Sequence, residues 1–439
     1  MAEISLPSGV DWTKKLPYLP ENVSTSLLSV QATNGTTFTA GNVVQFDLPA
    51  RSGLYLDGKT MFIRYKMNYT SGATAPIVRC TPAYSFIQKL DEYVGSTPVN
   101  SVYNYHQVAN LWVNTRMSVA DKFGQASALG FTGQTTPSLV QLDSLTLSAS
   151  QSSLAGAQSF SAPLVCSAFS SADHYIPTGL MSPLRLQFTL APLADICTTG
   201  STDMTAYQIS NFELCVSAID LGAGVDAMVA SMGNPKLYIK TTAWANAGSQ
   251  QIASGSSGTQ SLVFNHRYQS IVNAYLIHSG AAVATDLNAW GDSRDITSGG
   301  SYQLQIGQMQ YPLLPIDVGN NKPAVLQYLR ECTGSLQDFR NSMSIGNVEF
   351  AYLGNSATAT TPTEPAKFIV GFPLEKIQGF NPYASGSLMS GVNASSTPII
   401  ANVRIASATT TQAYNPFLVV EYTSIIEVDP IAKQINLLC

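Results

Sequence analysis

The chain has 439 residues, enough for two or three domains, and because β-sandwich units of about 200 residues are common, two is the simpler count. Only 11% of residues are charged and the net charge is −5, with Lys14 and Lys15 the only bases among the first thirty residues. This argues against direct nucleic-acid binding, which needs Lys/Arg clusters to displace counterions from phosphates. Ser, Thr, Asn, Gln and Gly take the place of the missing charge, and such a surface suits burial against other protein because few charges must be desolvated.

Residues 1–25 hold Pro7, Pro17 and Pro20 among few periodic apolar positions and read as an N-terminal arm that orders against a partner. From Ser26 the text alternates. SLLSVQATNGTTFTAGNVVQFDLPA contains two strand segments around Asn34-Gly35, a hairpin signal. Met61, Ile63, Tyr65 and Met67 then alternate with Phe62, Arg64, Lys66 and Asn68, as expected of a half-buried strand. SFIQKLDEYVGSTPVNSV reads as a strand with a tight turn at Gly95–Pro98. Over Ser101–Phe123 the residues Tyr105, Val108, Trp112, Val119 and Phe123 recur at helical spacing. Residues 124–165 are Ser/Gln/Thr/Leu-rich and read as a projecting loop with short strands of its own. LRLQFTLAPL and AYQISNFELCVSAIDL close the first half.

Leu221–Lys236 is a Gly-bearing joint with a short helix at Val225–Met232. Alternation resumes in KLYIKTTAWANA, SLVFNHRYQSIVNAYLIHS and SYQLQIGQMQYPLLPI. A second helix is predicted over Pro323–Met343 from Val325, Leu329, Cys332, Leu336, Phe339 and Met343, with Asn321 as N-cap and Pro323 in the first turn. NVEFAYLGNS, AKFIVGFPLEK, PIIANVRIAS and NPFLVVEYTSIIEV complete the β content. The two helices lie half a chain apart with roughly eight strands in each half. The expected fold class is all-β with a few helices: two consecutive eight-stranded jelly-roll barrels, one helix inserted in each. The expected division is an arm at 1–25, a first barrel at 26–222 with the projecting loop 124–165, a linker at 223–236, a second barrel at 237–430 and a C-terminal tail at 431–439.

Chemistry is scarce. Cys80, Cys166, Cys197, Cys215, Cys332 and Cys439 are scattered without a C-x-x-C pair, which reads as buried thiols in a reducing compartment. His106, His174, His266 and His278 lack zinc-site spacing. Asp91, Glu92, Glu421, Glu427 and Asp429 are weak glycosidase candidates and read better as ordinary exposed acids on strands. No G-x-S-x-G, P-loop or dinucleotide fingerprint occurs, and Trp12, Trp112, Trp244 and Trp290 are too dispersed for a stacking platform. The expectation is therefore no catalytic, cofactor-binding or metal residue, no cofactor and no enzyme activity. The opening MAEISLPSGVDW lacks a secretory pattern, and the terminal NLLC is not a prenylation signal, so secretion and lipid anchoring are not expected.

YLDGKTMFIRYKM (Tyr55–Met67), SFIQKLDEYVGSTPV (Ser85–Val99), NHRYQSI (Asn265–Ile271) and KFIVGFPLEK (Lys367–Lys376) together resemble the double jelly-roll major capsid proteins of double-stranded DNA viruses, most closely those of Polinton-like viruses, virophages and adintoviruses. The resemblance implies a homotrimer of six upright barrels that tiles an icosahedral shell, a virion location and assembly inside the host cell. It implies lattice neighbours, pentons and minor or cement proteins as partners, leaves an internal membrane open, and gives loops 124–165 and 279–300 a tower-like role. The arm and the tail IAKQINLLC would adjust lattice contacts. A tandem β-sandwich carbohydrate-binding adhesion protein is the alternative of a different class.

Overall fold

The computed structural model describes residues 23–71, 77–79, 81–131, 144–146, 158–196, 204–231, 236–280, 293, 295–297, 299–319, 322–334, 343–345, 350, 367–375, 389–406 and 413–439. The first half supplies β1 (Ser24–Gln31), β2 (Thr37–Thr39), β3 (Val43–Asp47), β4 (Leu54–Ser71), β5 (Ile77–Arg79), α1 (Pro82–Ser85), β6 (Ile87–Val94), β7 (Thr97–Tyr103), α2 (Tyr105–Arg116), α3 (Val119–Gly124), α4 (Ala126–Leu129), β8 (Ser144–Thr146), β9 (Gln158–Pro163), β10 (Ile176–Pro177), β11 (Leu184–Leu190) and β12 (Met204–Asp220). After α5 (Ala223–Ala230) the second half supplies β13 (Leu237–Gly248), β14 (Gly258–Phe264), β15 (Ile271–Gly280), β16 (Ser301–Ile306), β17 (Met309–Asp317), α6 (Lys322–Cys332), β18 (Val370–Pro373), β19 (Ile399–Ile405), β20 (Tyr414–Asp429) and β21 (Gln434–Leu438).

Each half folds two antiparallel sheets over one core. In the first, β1-β12-β4-β10 faces β3-β11-β6-β7; in the second, β13-β20-β15-β18 faces β14-β19-β16-β17. The two orders match position by position, and each half places a helical insertion directly after the edge strand of its smaller sheet, β7 or β17. This is a jelly roll used twice. Strict alternation drives it: β11 buries Leu184, Leu186, Phe188 and Leu190 while Arg185, Gln187 and Thr189 face outward. Phe188 meets Phe46 and Phe212 at centroid separations of 5.8 and 5.5 Å, closing the first sandwich with edge-on and tilted aromatic contacts.

Several expectations change. Asn34-Gly35 does not make a hairpin: β1 and β2 both pair with β12, and β3 crosses to the facing sheet. Asn34 instead ties the crossing together, Nδ2 donating to the Val43 carbonyl at 2.6 Å and Oδ1 accepting from the Gln45 amide at 3.0 Å. The helix expected over Ser101–Phe123 starts at Tyr105, because β7 runs to Tyr103, and it breaks at Met117. Ser118 restarts it as α3 with a capping box, its hydroxyl accepting from the Asp121 amide. Among the described residues, the one expected inserted helix is thus three: α2, α3 and α4. The second helix ends at Cys332, with Thr333 and Gly334 in a turn rather than the expected continuation; residues 335–342 and the expected N-cap Asn321 lie outside the described residues. Within 124–165, α4 and β9 belong to the barrel, β9 pairing with β4 from Gln158 to Pro163. Within the expected tail, β21 pairs with β20 and extends the second barrel's sheet. Most of the expected arm, Cys80, Cys197, Trp12 and Trp290 lie outside the described residues.

Candidate functional site at the seam between the barrels

β20 runs through the middle of the second barrel's larger sheet. Leu418 and Val420 point into the core, which turns the intervening and following positions, Val419 and Glu421, to the outer face. That face meets the first barrel. Arg116, in the last turn of α2, reaches across: Nη2 donates to Glu421 Oε2 at 2.8 Å and to the Cys332 carbonyl at 3.3 Å, and Nη1 to the Thr333 carbonyl at 3.3 Å. Asn273 on β15 donates to the same Glu421 oxygen at 2.9 Å. Burial works to lower the Arg116 pKa, but the Glu421 carboxylate and the Tyr275 hydroxyl beside it outweigh that and hold it above its ordinary value. The guanidinium stays charged, and its donors are met by the far barrel.

A second node is Glu92 on β6, fully buried. It accepts from the Ser167 hydroxyl, the Ala168 amide at 2.8 Å and Asn100 Nδ2 at 3.0 Å. Burial raises its pKa, and these donors oppose the rise. Asn100 then passes the network on, its Oδ1 accepting from the Tyr422 hydroxyl of β20 at 3.3 Å. A third set covers the open edge of β13. The Asp173 amide donates to the Lys240 carbonyl and the Lys240 amide to Asp173 Oδ1, both at 3.0 Å, while the Thr242 amide donates to Ser171 Oγ at 2.9 Å. Backbone groups that a sheet edge leaves unpaired are thus capped by the neighbouring barrel. Ser344 donates to the Asn114 carbonyl at 3.1 Å through its hydroxyl, and Ser182 to the Lys433 carbonyl at 2.8 Å, widening the seam.

A cleft of about 410 Å³ opens here, lined by Lys59, Trp112, Arg116, Cys166, Trp244 and Glu421. Burial pushes the Cys166 thiol well above its ordinary pKa, so it is a poor nucleophile. Chemically the arrangement fixes two barrels to each other through paired charges and capped strand edges.

The carboxylates named from the sequence separate. Glu421 and Glu92 are seam anchors, so the reading of both as exposed strand acids is corrected. Asp91 pairs with Lys89 at 2.8 Å, Glu427 with Lys236 at 2.7 Å, and Asp429 caps the turn into β21. His106, His266 and His278 are buried and His174 is at the surface; no group of three metal-ligating side chains occurs among the described residues. Trp244 stacks on Tyr275 at 5.7 Å. Sequence reasoning missed Arg116, Asn100, Ser167 and Ser171. The one signal for Arg116 is a cation at the end of an otherwise uncharged helix in a chain poor in charge.

No protein-family model and no curated protein matches the sequence. Solved structures do. VP54 of PBCV-1, a crystal structure fitted into a cryo-EM reconstruction of the virophage Sputnik, aligns with 97% of this chain and 99% of its own at 12% identity and TM-score 0.59. The Faustovirus major capsid protein aligns with 95% and 92% at 10% identity and TM-score 0.61, and the mavirus major capsid protein with 100% and 95% at 9% identity and TM-score 0.52. The chain therefore has the double jelly-roll fold.

Proposed function

We propose, with the double jelly roll as premise, that this chain is a major capsid protein whose work is to pack against copies of itself. The observation that carries the reading is the repeat: two barrels of one strand order, locked through a polar seam into a single building block. Three such chains supply six barrels, enough to close a pseudo-hexagonal capsomer by cyclic symmetry. The low charge of the chain keeps the desolvation cost of large interfaces small. The capsomers would tile an icosahedral shell in the virion, with pentons and minor or cement proteins at its discontinuities, after assembly in the host cell. The work is structural and involves no chemical step. The same reading divides the chain into arm, first barrel, linker, second barrel and terminal segment, with α5 as the linker. Asp226 of α5 accepts from the Gly53 amide at 2.7 Å and the Tyr55 hydroxyl at 2.8 Å, which fixes the linker to the first barrel. Size-exclusion chromatography with light scattering, followed by negative-stain imaging, tests it: trimers of hexagonal outline support the proposal, and a stable monomer that binds glycans overturns it in favour of an adhesion module.

A further inference from the structure

Within one chain, the first barrel's edge strand β7 lies against the second barrel's edge strand β13. The repeat gives each a counterpart. β17 occupies in the second barrel the place of β7, and β1 occupies in the first the place of β13. Each counterpart is hydrogen-bonded along one side, β17 to β16 and β1 to β12, and each carries bare apolar side chains. Leu27 on β1 is 58% exposed; on β17, Met309 is 63%, Leu313 81% and Leu314 78% exposed.

β17 is shaped for a contact. Its pairing with β16 jumps from Tyr302↔Ile316 to Leu304↔Tyr311, so Pro312, Leu313, Leu314 and Pro315 bulge out opposite the single residue Gln303. Gln303 Nε2 props the bulge by donating to the Pro312 and Leu313 carbonyls, both at 3.2 Å. Two prolines remove amide donors from this edge, so a further strand cannot extend the sheet there and recognition falls to the side chains. The counterpart strand β7 has a smaller bulge at Val99, which is buried, beside the Asn100 that holds Tyr422 of the second barrel. The first barrel's bulge is thus covered inside the chain, and the second barrel's larger one is bare.

We propose that Leu313 and Leu314 form a knob that docks on the open edge of β1, around Leu27, of a second copy of this chain. The inference rests on the capsomer reading and names the contact that closes it. A second copy is the occupant because the chain already makes the equivalent contact once internally; repeating it between chains gives six contacts of one kind, three within chains and three between. The two surfaces also match in chemistry: STSLLSVQ has no charged residue and MQYPLLPID has only Asp317, so neither side strands a charge on burial. Exposed leucines of this kind mark an interaction site.

The test compares wild type with L313D/L314D and with L27D by light scattering, with circular dichroism to verify the fold. Each variant is expected to remain folded while its trimer dissociates about tenfold or more readily, as for loss of an interface anchor. Mixing the two is diagnostic. L27D keeps its knob and L313D/L314D keeps its β1 edge, so a one-to-one heterodimer should form where neither variant self-associates. A trimeric wild type whose variants trimerise equally well, or a mixture without heterodimer, overturns the knob contact alone; a monomeric wild type overturns the capsomer reading with it.

Discussion

Three histidines sit in the interior with their charge suppressed. Burial pushes the pKa of His278 down from 6.5 to about 3, and those of His106 and His266 to about 4. His266 Nε2 meets the Leu418 carbonyl at 2.9 Å, whereas neither ring nitrogen of His278 has a hydrogen-bond partner among the described residues. The sign follows from proton counting. Below pH 6.5 the unfolded chain takes up protons that the folded chain refuses, so stability is full above 6.5 and falls as pH drops toward about 4. Each histidine contributes a slope of about 1.4 kcal/mol per pH unit in that window. Glu92, whose pKa burial raises, titrates with the opposite sign, so the effect is best read as a difference between variants. His278→Leu is expected to flatten the dependence of the urea midpoint on pH between 6.5 and 4, and an unchanged slope would contradict the assignment.

At the level of elements, α6 shows what packing demands. It lies on β18 so closely that a Cβ on Gly371 would stand 2.8 Å from Leu329 Cα and 3.0 Å from Cys332 Sγ. Neither atom yields cheaply, one being backbone. Gly371→Ala should therefore push α6 off the sheet and cost about 1–3 kcal/mol, visible as a lower denaturation midpoint; a neutral substitution would show that the helix floats. The elements also show how far local sequence reaches. The turn at Gly95 formed as its glycine foretold, with φ +61°, because the β6–β7 hairpin depends only on neighbours in sequence. Asn34-Gly35 carried an equally strong signal and failed, since β1 found a longer partner in β12, 188 residues on at Leu28↔Val216. The break between α2 and α3 was written in Ser118 and Asp121 as a capping box, masked by apolar spacing that ran on past it to Phe123.

For the molecule as a whole, the seam makes one body of two barrels. Arg116 and Glu421 are 305 residues apart and span it. Arg116→Ala leaves the Glu421 carboxylate facing a half-dry cleft and is expected to cost about 2–4 kcal/mol, with Arg116→Lys recovering only part because a single ammonium cannot reach both the carboxylate and the two carbonyls. A calorimetric scan of Arg116→Ala should separate into two transitions, one per barrel; a single unchanged transition would show that other contacts suffice. The sequence by itself determined the all-β class, the duplication and the sparse charge, because alternation and periodicity are properties of a few neighbouring residues. Which strands pair, where the seam lies, and that Glu92 is a buried anchor and Glu421 a half-buried one rather than surface acids were decided only in three dimensions. The physical reason is that a residue's environment at a barrel–barrel contact is set by groups hundreds of positions away, and no local pattern encodes them.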